Sequence, residues 1–135
     1  MWNPRVSQDA VSQMLYPASR MPVVFIVSAE WDLRGAVRAE LREAGIEALG
    51  LETVGDLVRM IAAGAAPSLI VLDGAQLHKT EMRPALQNLA SRVPLLVVDS
   101  RLNPAPPLPA AQSILRPVQV KDIVARVLEI LSSTT

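Results

Sequence analysis

Five short apolar runs punctuate the chain, and between them apolar residues recur every three or four positions. The runs are Val23-Val24-Phe25-Ile26-Val27, Ile46 to Leu51, Leu69-Ile70-Val71-Leu72-Asp73, Val93 to Val98, and a fifth, shortest one beginning at Ile114-Leu115. Each is too short for a helix and most are rich in β-branched residues. Continuous rather than alternating apolarity marks strands buried on both faces, which belong in a parallel sheet covered by helices. The intervening stretches read as helices. Leu33, Ala36, Val37, Leu41 and Ala44 share one face, and Gly45 follows where a left-handed C-terminal cap is wanted. Thr53 with Asp56 resembles a capping box opening a helix that carries Val54, Leu57, Val58 and Ile61 and runs to Gly64. Pro84 lies near the first turn of a helix bearing Ala85, Leu86, Leu89 and Ala90, and Val120, Ile123, Val124, Val127, Leu128 and Leu131 form a broad stripe on a closing helix.

This strand–helix repetition predicts right-handed crossovers and an α/β fold with a doubly wound, five-stranded parallel sheet over residues 22–132. One unit breaks the rhythm. Between the fourth and fifth strands the segment Arg101 to Gln112 holds Pro104, Pro106, Pro107 and Pro109, which cannot continue a helix, so a Pro-rich loop is expected in its place. The fourth strand then lacks a cover on one face. The candidates are the loop itself, the leader around Met14-Leu15-Tyr16, or a second protein molecule, which points to a self-association or partner surface centred on the fourth and fifth strands and the last helix. The leader, residues 1–21, is either disordered or a short helix with Val6, Ala10, Met14 and Leu15 on one side. Arg101, Pro104 and Pro107 match the R-x-x-P-x-x-P pattern of peptides that dock in aromatic grooves, but Pro-rich loops produce it readily, so the replaced helix is the preferred reading.

At 135 residues the chain suits one domain burying roughly 65 to 70% of its unfolded surface. Thirteen basic residues balance thirteen acidic ones, which removes the overall field that nucleic acid or an anionic membrane would need. Absence of Cys excludes disulfides, thiolate nucleophiles and cysteine-ligated zinc, and a single His, His78, leaves the usual metal clusters without ligands. His78 and Lys79 read as solvated loop residues. No stretch approaches a membrane span, and the N-terminus lacks a signal-peptide core, so a cytoplasmic location is expected. Arg outnumbers Lys eleven to two, a compositional bias that tempers the meaning of any one Arg.

The third run ends in a single carboxylate, Asp73, at the carboxyl edge of the sheet where ligands gather in open α/β folds. From about Pro22 to Leu131 the chain resembles the receiver domain of bacterial response regulators. The likeness rests on Val27-Ser28-Ala29-Glu30-Trp31-Asp32-Leu33-Arg34 at the end of the first strand, Leu69 to Asp73 as the phosphoacceptor strand, Val93-Pro94-Leu95-Leu96-Val97-Val98 as the fourth strand, and Leu115-Arg116-Pro117 at the Lys-Pro junction. It implies a flavodoxin-like sheet of order 2-1-3-4-5 and, in working members, two adjacent acids that hold magnesium, an acceptor Asp, a Thr or Ser after the fourth strand, and a Lys.

This chain departs from that set at every position but Asp73. The acid pair falls on Ser28 and Ala29, the Thr on Asp99, the Lys on Arg116, and the aromatic switch position on Ser113. Neither Ser28 nor Ala29 replaces a carboxylate for a hard cation that demands oxygen ligands. Asp99 adds a like charge, and two unit charges about 4 Å apart interact by roughly 4 kcal/mol at an effective dielectric near 20. Phosphoryl transfer depends on positioned cations, so losing the metal pair removes most of the apparatus. The simplest arrangement is a metal-free cluster in which Arg116 bridges Asp73 and Asp99. The resemblance thus implies a pseudo-receiver, a non-enzymatic signalling module without a cofactor whose partner is a protein, for example a histidine kinase or another signalling protein. One alternative is an atypical phosphoacceptor that uses Asp73 with Glu30 and Asp32 as substitute metal ligands. Another is a small-ligand-binding flavodoxin-like domain or enzyme, which the absence of a Gly-rich phosphate cradle disfavours. Trp31, in the first strand–helix loop, reads as local packing or as a partner anchor.

Overall fold

The computed structural model describes residues 22–78 and 80–133. The readings for the leader and for Lys79 lie outside them. Among the described residues five parallel strands form one sheet, β1 (Val23–Val27), β2 (Glu47–Leu51), β3 (Leu69–Asp73), β4 (Leu95–Asp99) and β5 (Gln112–Leu115), in the expected order β2-β1-β3-β4-β5. Four helices pack on them: α1 (Trp31–Glu43), α2 (Val54–Ala62), α3 (Arg83–Ala90) and α4 (Val120–Ser133). Two 3₁₀ turns, Gly74–His78 and Thr80–Met82, lead from β3 to α3.

The local signals act as the sequence suggests. Thr53 Oγ1 accepts from the Asp56 amide at 3.1 Å and caps α2. Gly45 and Gly64 adopt φ of 84° and 106° after α1 and α2, a conformation that a side chain at either position would strain. Pro84 sits in the first turn of α3, where a missing N–H leaves no intrahelical bond unmade.

Strand periodicity divides the interior in two. Val24, Ile26, Leu69, Val71, Leu96 and Val98 point to the face covered by α1 and α4, where Val37, Leu41, Ile123 and Val127 meet them. Phe25, Val27, Ile70, Leu72, Leu95 and Val97 point to the other face, against Leu57 of α2 and Leu86 and Leu89 of α3. All five residues of β3 are buried, as a central parallel strand requires.

As expected from its prolines, the segment after β4 is irregular over 100–111 and holds no helix. That segment covers the open face itself: Leu108 is buried in the second cluster, and Ala105 and Ala111 pack against it. Leu95 and Val97 are therefore already buried, and β4 leaves no open face that self-association would have to cover. Two strand limits also differ. Strand β4 starts at Leu95 rather than Val93, because Pro94 has no N–H to donate to the ladder, although its carbonyl still accepts from the Ile70 amide at 3.0 Å. Strand β5 starts at Gln112, and its polar residues Gln112 and Ser113 are exposed on an edge strand where apolarity is not demanded.

Register decides what meets at the carboxyl edge. Val27 pairs with Leu72, Asp73 with Val98, and Asp99 with Leu115. The residues that end β1, β3, β4 and β5 are therefore neighbours, although they are far apart in the chain.

Candidate functional site

Ser28 follows β1 and extends its ladder by one bond, its amide donating to the Leu51 carbonyl at 3.0 Å. The side chain is buried, and Oγ donates to Asp73 Oδ2 at 2.7 Å while accepting from the Glu30 amide at 3.0 Å. Both capacities of the hydroxyl are thus in use. Asp73, 6% exposed, has its other oxygen equally engaged: Oδ1 accepts from the Ala75 amide at 3.1 Å and from Arg116 Nη2 at 3.3 Å. The same Nη2 reaches Glu30 Oε1 at 3.2 Å. Arg116 owes its place to the backbone, since its amide continues the β4–β5 ladder by donating to the Asp99 carbonyl at 2.9 Å. The Arg116–Pro117 peptide is cis.

The guanidinium therefore does bridge two carboxylates, but they are Asp73 and Glu30, not Asp73 and Asp99 as expected. Asp99 has another task. Its Oδ1 accepts from the amides of Ser100 and Ala105, both at 2.8 Å, and so folds the start of the Pro-rich segment around itself. Gly74 permits this closeness, because a Cβ there would stand 2.9 Å from the Val98 carbonyl oxygen and 3.3 Å from Asp99 Oδ1. Ala29 is exposed at the rim, and Ser113 is exposed on β5, where its carbonyl accepts from Arg126 Nη1 at 3.4 Å. Asp32 does not turn inward, and Oδ1 accepts from the Leu33 amide at 3.0 Å. His78 and Trp31 are exposed, Trp31 by 76%.

Two supporting residues carried no sequence signal. Arg34 Nη1 donates to the Ser28 carbonyl at 2.6 Å, and its stem lies over Gly50, where a Cβ would come within 2.8 Å of Cγ. Gln76 is buried and accepts from the Val54 amide at 3.1 Å, tying the turn after Asp73 to the start of α2. Each bond joins a side chain to the backbone of another element, and no spacing rule announces it.

A cavity of about 290 Å³ opens beside the cluster, lined in part by Glu30, Asp73, Gly74, Asp99, Asn103 and Arg116. The donor set does not fit magnesium. Ala29 offers no side-chain oxygen, the Ser28 hydroxyl is committed to Asp73, and Asp73 Oδ1 and Glu30 both face the one guanidinium. Among the described residues no three His, Asp or Glu side chains are grouped to hold a metal ion. Chemically the site is an acid with a built-in counter-charge. Arg116 stands where a cation would neutralise Asp73.

No protein-family model matches the sequence, and neither does any curated protein. Solved structures do match. A response regulator receiver protein from Sinorhizobium medicae WSM419 superposes with a TM-score of 0.68 at 14% identity, covering 85% of this chain and 98% of that one. A response regulator receiver domain protein from Methanospirillum hungatei JF-1 gives 0.66 at 18% identity, covering 82% and 94%. The lysine decarboxylase of Francisella novicida gives 0.65 at 13% identity, covering 83% of this chain but 17% of the enzyme. The chain therefore has the receiver fold, a five-stranded flavodoxin-like sheet, and the decarboxylase shows the same architecture within a larger enzyme. Among the described residues no helix is long and apolar enough to cross a membrane.

Proposed function

We propose that this chain is a pseudo-receiver, a non-enzymatic module of signal transduction that binds protein partners without a phosphorylation cycle. One observation carries the reading: both oxygens of Asp73 are satisfied internally, by Ser28 Oγ on one and by the Ala75 amide and Arg116 on the other. A nucleophilic carboxylate needs a free oxygen aimed at phosphorus and a metal that gathers the charge spreading over the transferred group. Here each oxygen of Asp73 already accepts a hydrogen bond from the protein, and Ser28 and Ala29 stand at the positions of the metal-binding acids. The substitute set of Glu30 and Asp32 gains no support either, because Glu30 pairs with Arg116 and Asp32 bonds its own helix start. The partner is a protein of the signalling machinery, a histidine kinase or another signalling protein.

Incubating the full chain with acetyl phosphate and millimolar magnesium, then measuring its intact mass, tests this directly. The expected result is an unchanged mass and no peptide carrying phosphate on Asp73. A high-yield adduct on Asp73 reverses the reading and makes the chain a phosphoacceptor.

A further inference from the structure

The Pro-rich segment has an outer side that the fold does not use. Every residue from Asn103 to Pro109 is a proline or precedes one. Ring closure fixes φ at the prolines, and the clash with each following ring drives Asn103, Ala105, Pro106 and Leu108 to extended ψ. Residues 104–108 are accordingly neither helix nor strand, and a chain so restricted runs as polyproline II, a three-sided rod with about three residues per turn. Burial follows that period. Ala105 and Leu108, three residues apart, pack on the second core cluster, whereas Pro104 and Pro107, also three apart, are exposed.

The rod is pinned at both ends. Asp99 Oδ1 accepts from the Ala105 amide at 2.8 Å, and the Ala111 amide donates to the Leu108 carbonyl at 3.1 Å. Pro109 and Ala110, whose φ is 75°, make the type II turn that this last bond closes. A partner therefore meets an extended segment that is already ordered. Arg101 stands three residues before Pro104, on the turn where Ser100 Oγ accepts from the Leu102 amide at 3.2 Å. Its side chain is exposed and enters no ion pair or side-chain hydrogen bond among the described residues.

We infer that this rod is itself a ligand, and that Arg101, Pro104 and Pro107 dock into the aromatic groove of an SH3-type domain in a partner protein. Prolines offer no N–H, so the groove reads their rings by apolar contact with aromatic side chains. An acid at one end of the groove meets Arg101 and fixes the direction in which the rod lies. A groove that grips a three-sided rod touches two sides and leaves the third. Here the third is the side carrying Ala105 and Leu108, already set against the core. Helix replacement and motif display are therefore compatible. This inference rests on the interaction-module reading and names the class of partner that the module meets.

The test titrates the ¹⁵N-labelled full chain with a purified SH3 domain that selects Arg-x-x-Pro-x-x-Pro peptides, and in parallel with one that selects the reverse order, arginine after the prolines. The expected result is saturable binding to the first domain and none to the second, with amide shifts confined to 100–111 and the residues packed on it. Affinity should fall roughly tenfold for Pro107→Ala and for Arg101→Glu. It should be unchanged for Arg92→Glu, the same charge change at an exposed position on another element. Arg101 holds nothing in the fold, so its variant tests the contact even if Pro107→Ala loosens the segment. Absence of binding to the first domain, equal binding of both, full affinity of Arg101→Glu, an equal loss with Arg92→Glu, or shifts centred away from the segment each overturn the proposal. An Asp73 adduct leaves this titration unaltered, and failure of the titration leaves the mass of phosphate-treated protein unaltered, so the two readings fail separately.

Discussion

The hydroxyl of Ser28 donates to one buried carboxylate oxygen and accepts from one backbone amide, so its removal leaves two polar groups short at once. Ser28→Ala should lower the unfolding free energy by about 1 to 3 kcal/mol, the usual cost of stranding a buried partner. Arg116→Ala should cost less, about 1 kcal/mol or below, because the guanidinium is one-third exposed, its second partner Glu30 faces water, and Asp73 retains Ser28 and Ala75. Urea denaturation of the two variants checks the order. If Arg116→Ala proves the more damaging, then the ion pair rather than the hydroxyl holds Asp73 in place. Residue identity alone pointed to an ion pair at Asp73 but assigned the wrong second acid. Asp99 and Glu30 are equally acidic on paper, and only the tight turn after β4, which folds Asp99 back onto the Ser100 and Ala105 amides, separates them. An Asp followed by Ser at the head of a Pro-rich loop is a known turn-forming combination, so that signal was present and could have been read.

Among the elements, the segment over 100–111 does what a helix does elsewhere in the sheet, with one leucine and one carboxylate. Leu108→Ala should cost about 2 to 4 kcal/mol, as for a buried leucine in a core that cannot fully collapse. Asp99→Ala should speed hydrogen exchange at the Ser100 and Ala105 amides by at least about tenfold while leaving β1 and β3 amides protected, because it unties the turn and not the sheet. Equal exchange in the variant and the parent would mean that the prolines hold the segment unaided. The four longer strands, the helices and the two Gly caps were legible because burial on two faces and helical spacing write themselves into composition. Strand β5 was only half legible. An edge strand half exposed to water has no reason to be apolar, so Gln112 and Ser113 carried no mark.

For the molecule as a whole, the sheet separates two cores, one under α1 and α4 and one under α2, α3 and the Leu108 segment, and the described chain closes both. What remains apolar outside among the described residues is scattered: Trp31 and Leu102 are 76% and 98% exposed, and Leu115 and Leu128 are 43% and 38% exposed. The full chain is therefore expected to sediment as a monomer at tens of micromolar, with β4 amides among the slowest to exchange. A dimer that dissociates on Leu115→Asp would show that this pair is an interface after all. Within the proposed reading, the Arg116 guanidinium beside Asp73 has a further consequence. A switch needs an empty place for the group that flips it, and here that place is taken by the protein's own side chain. Such a molecule has no on and off forms to distribute, so the only variable left to the cell is how many copies are present. Control would pass from kinases and phosphatases to transcription, translation and proteolysis, and the message would be read as dosage.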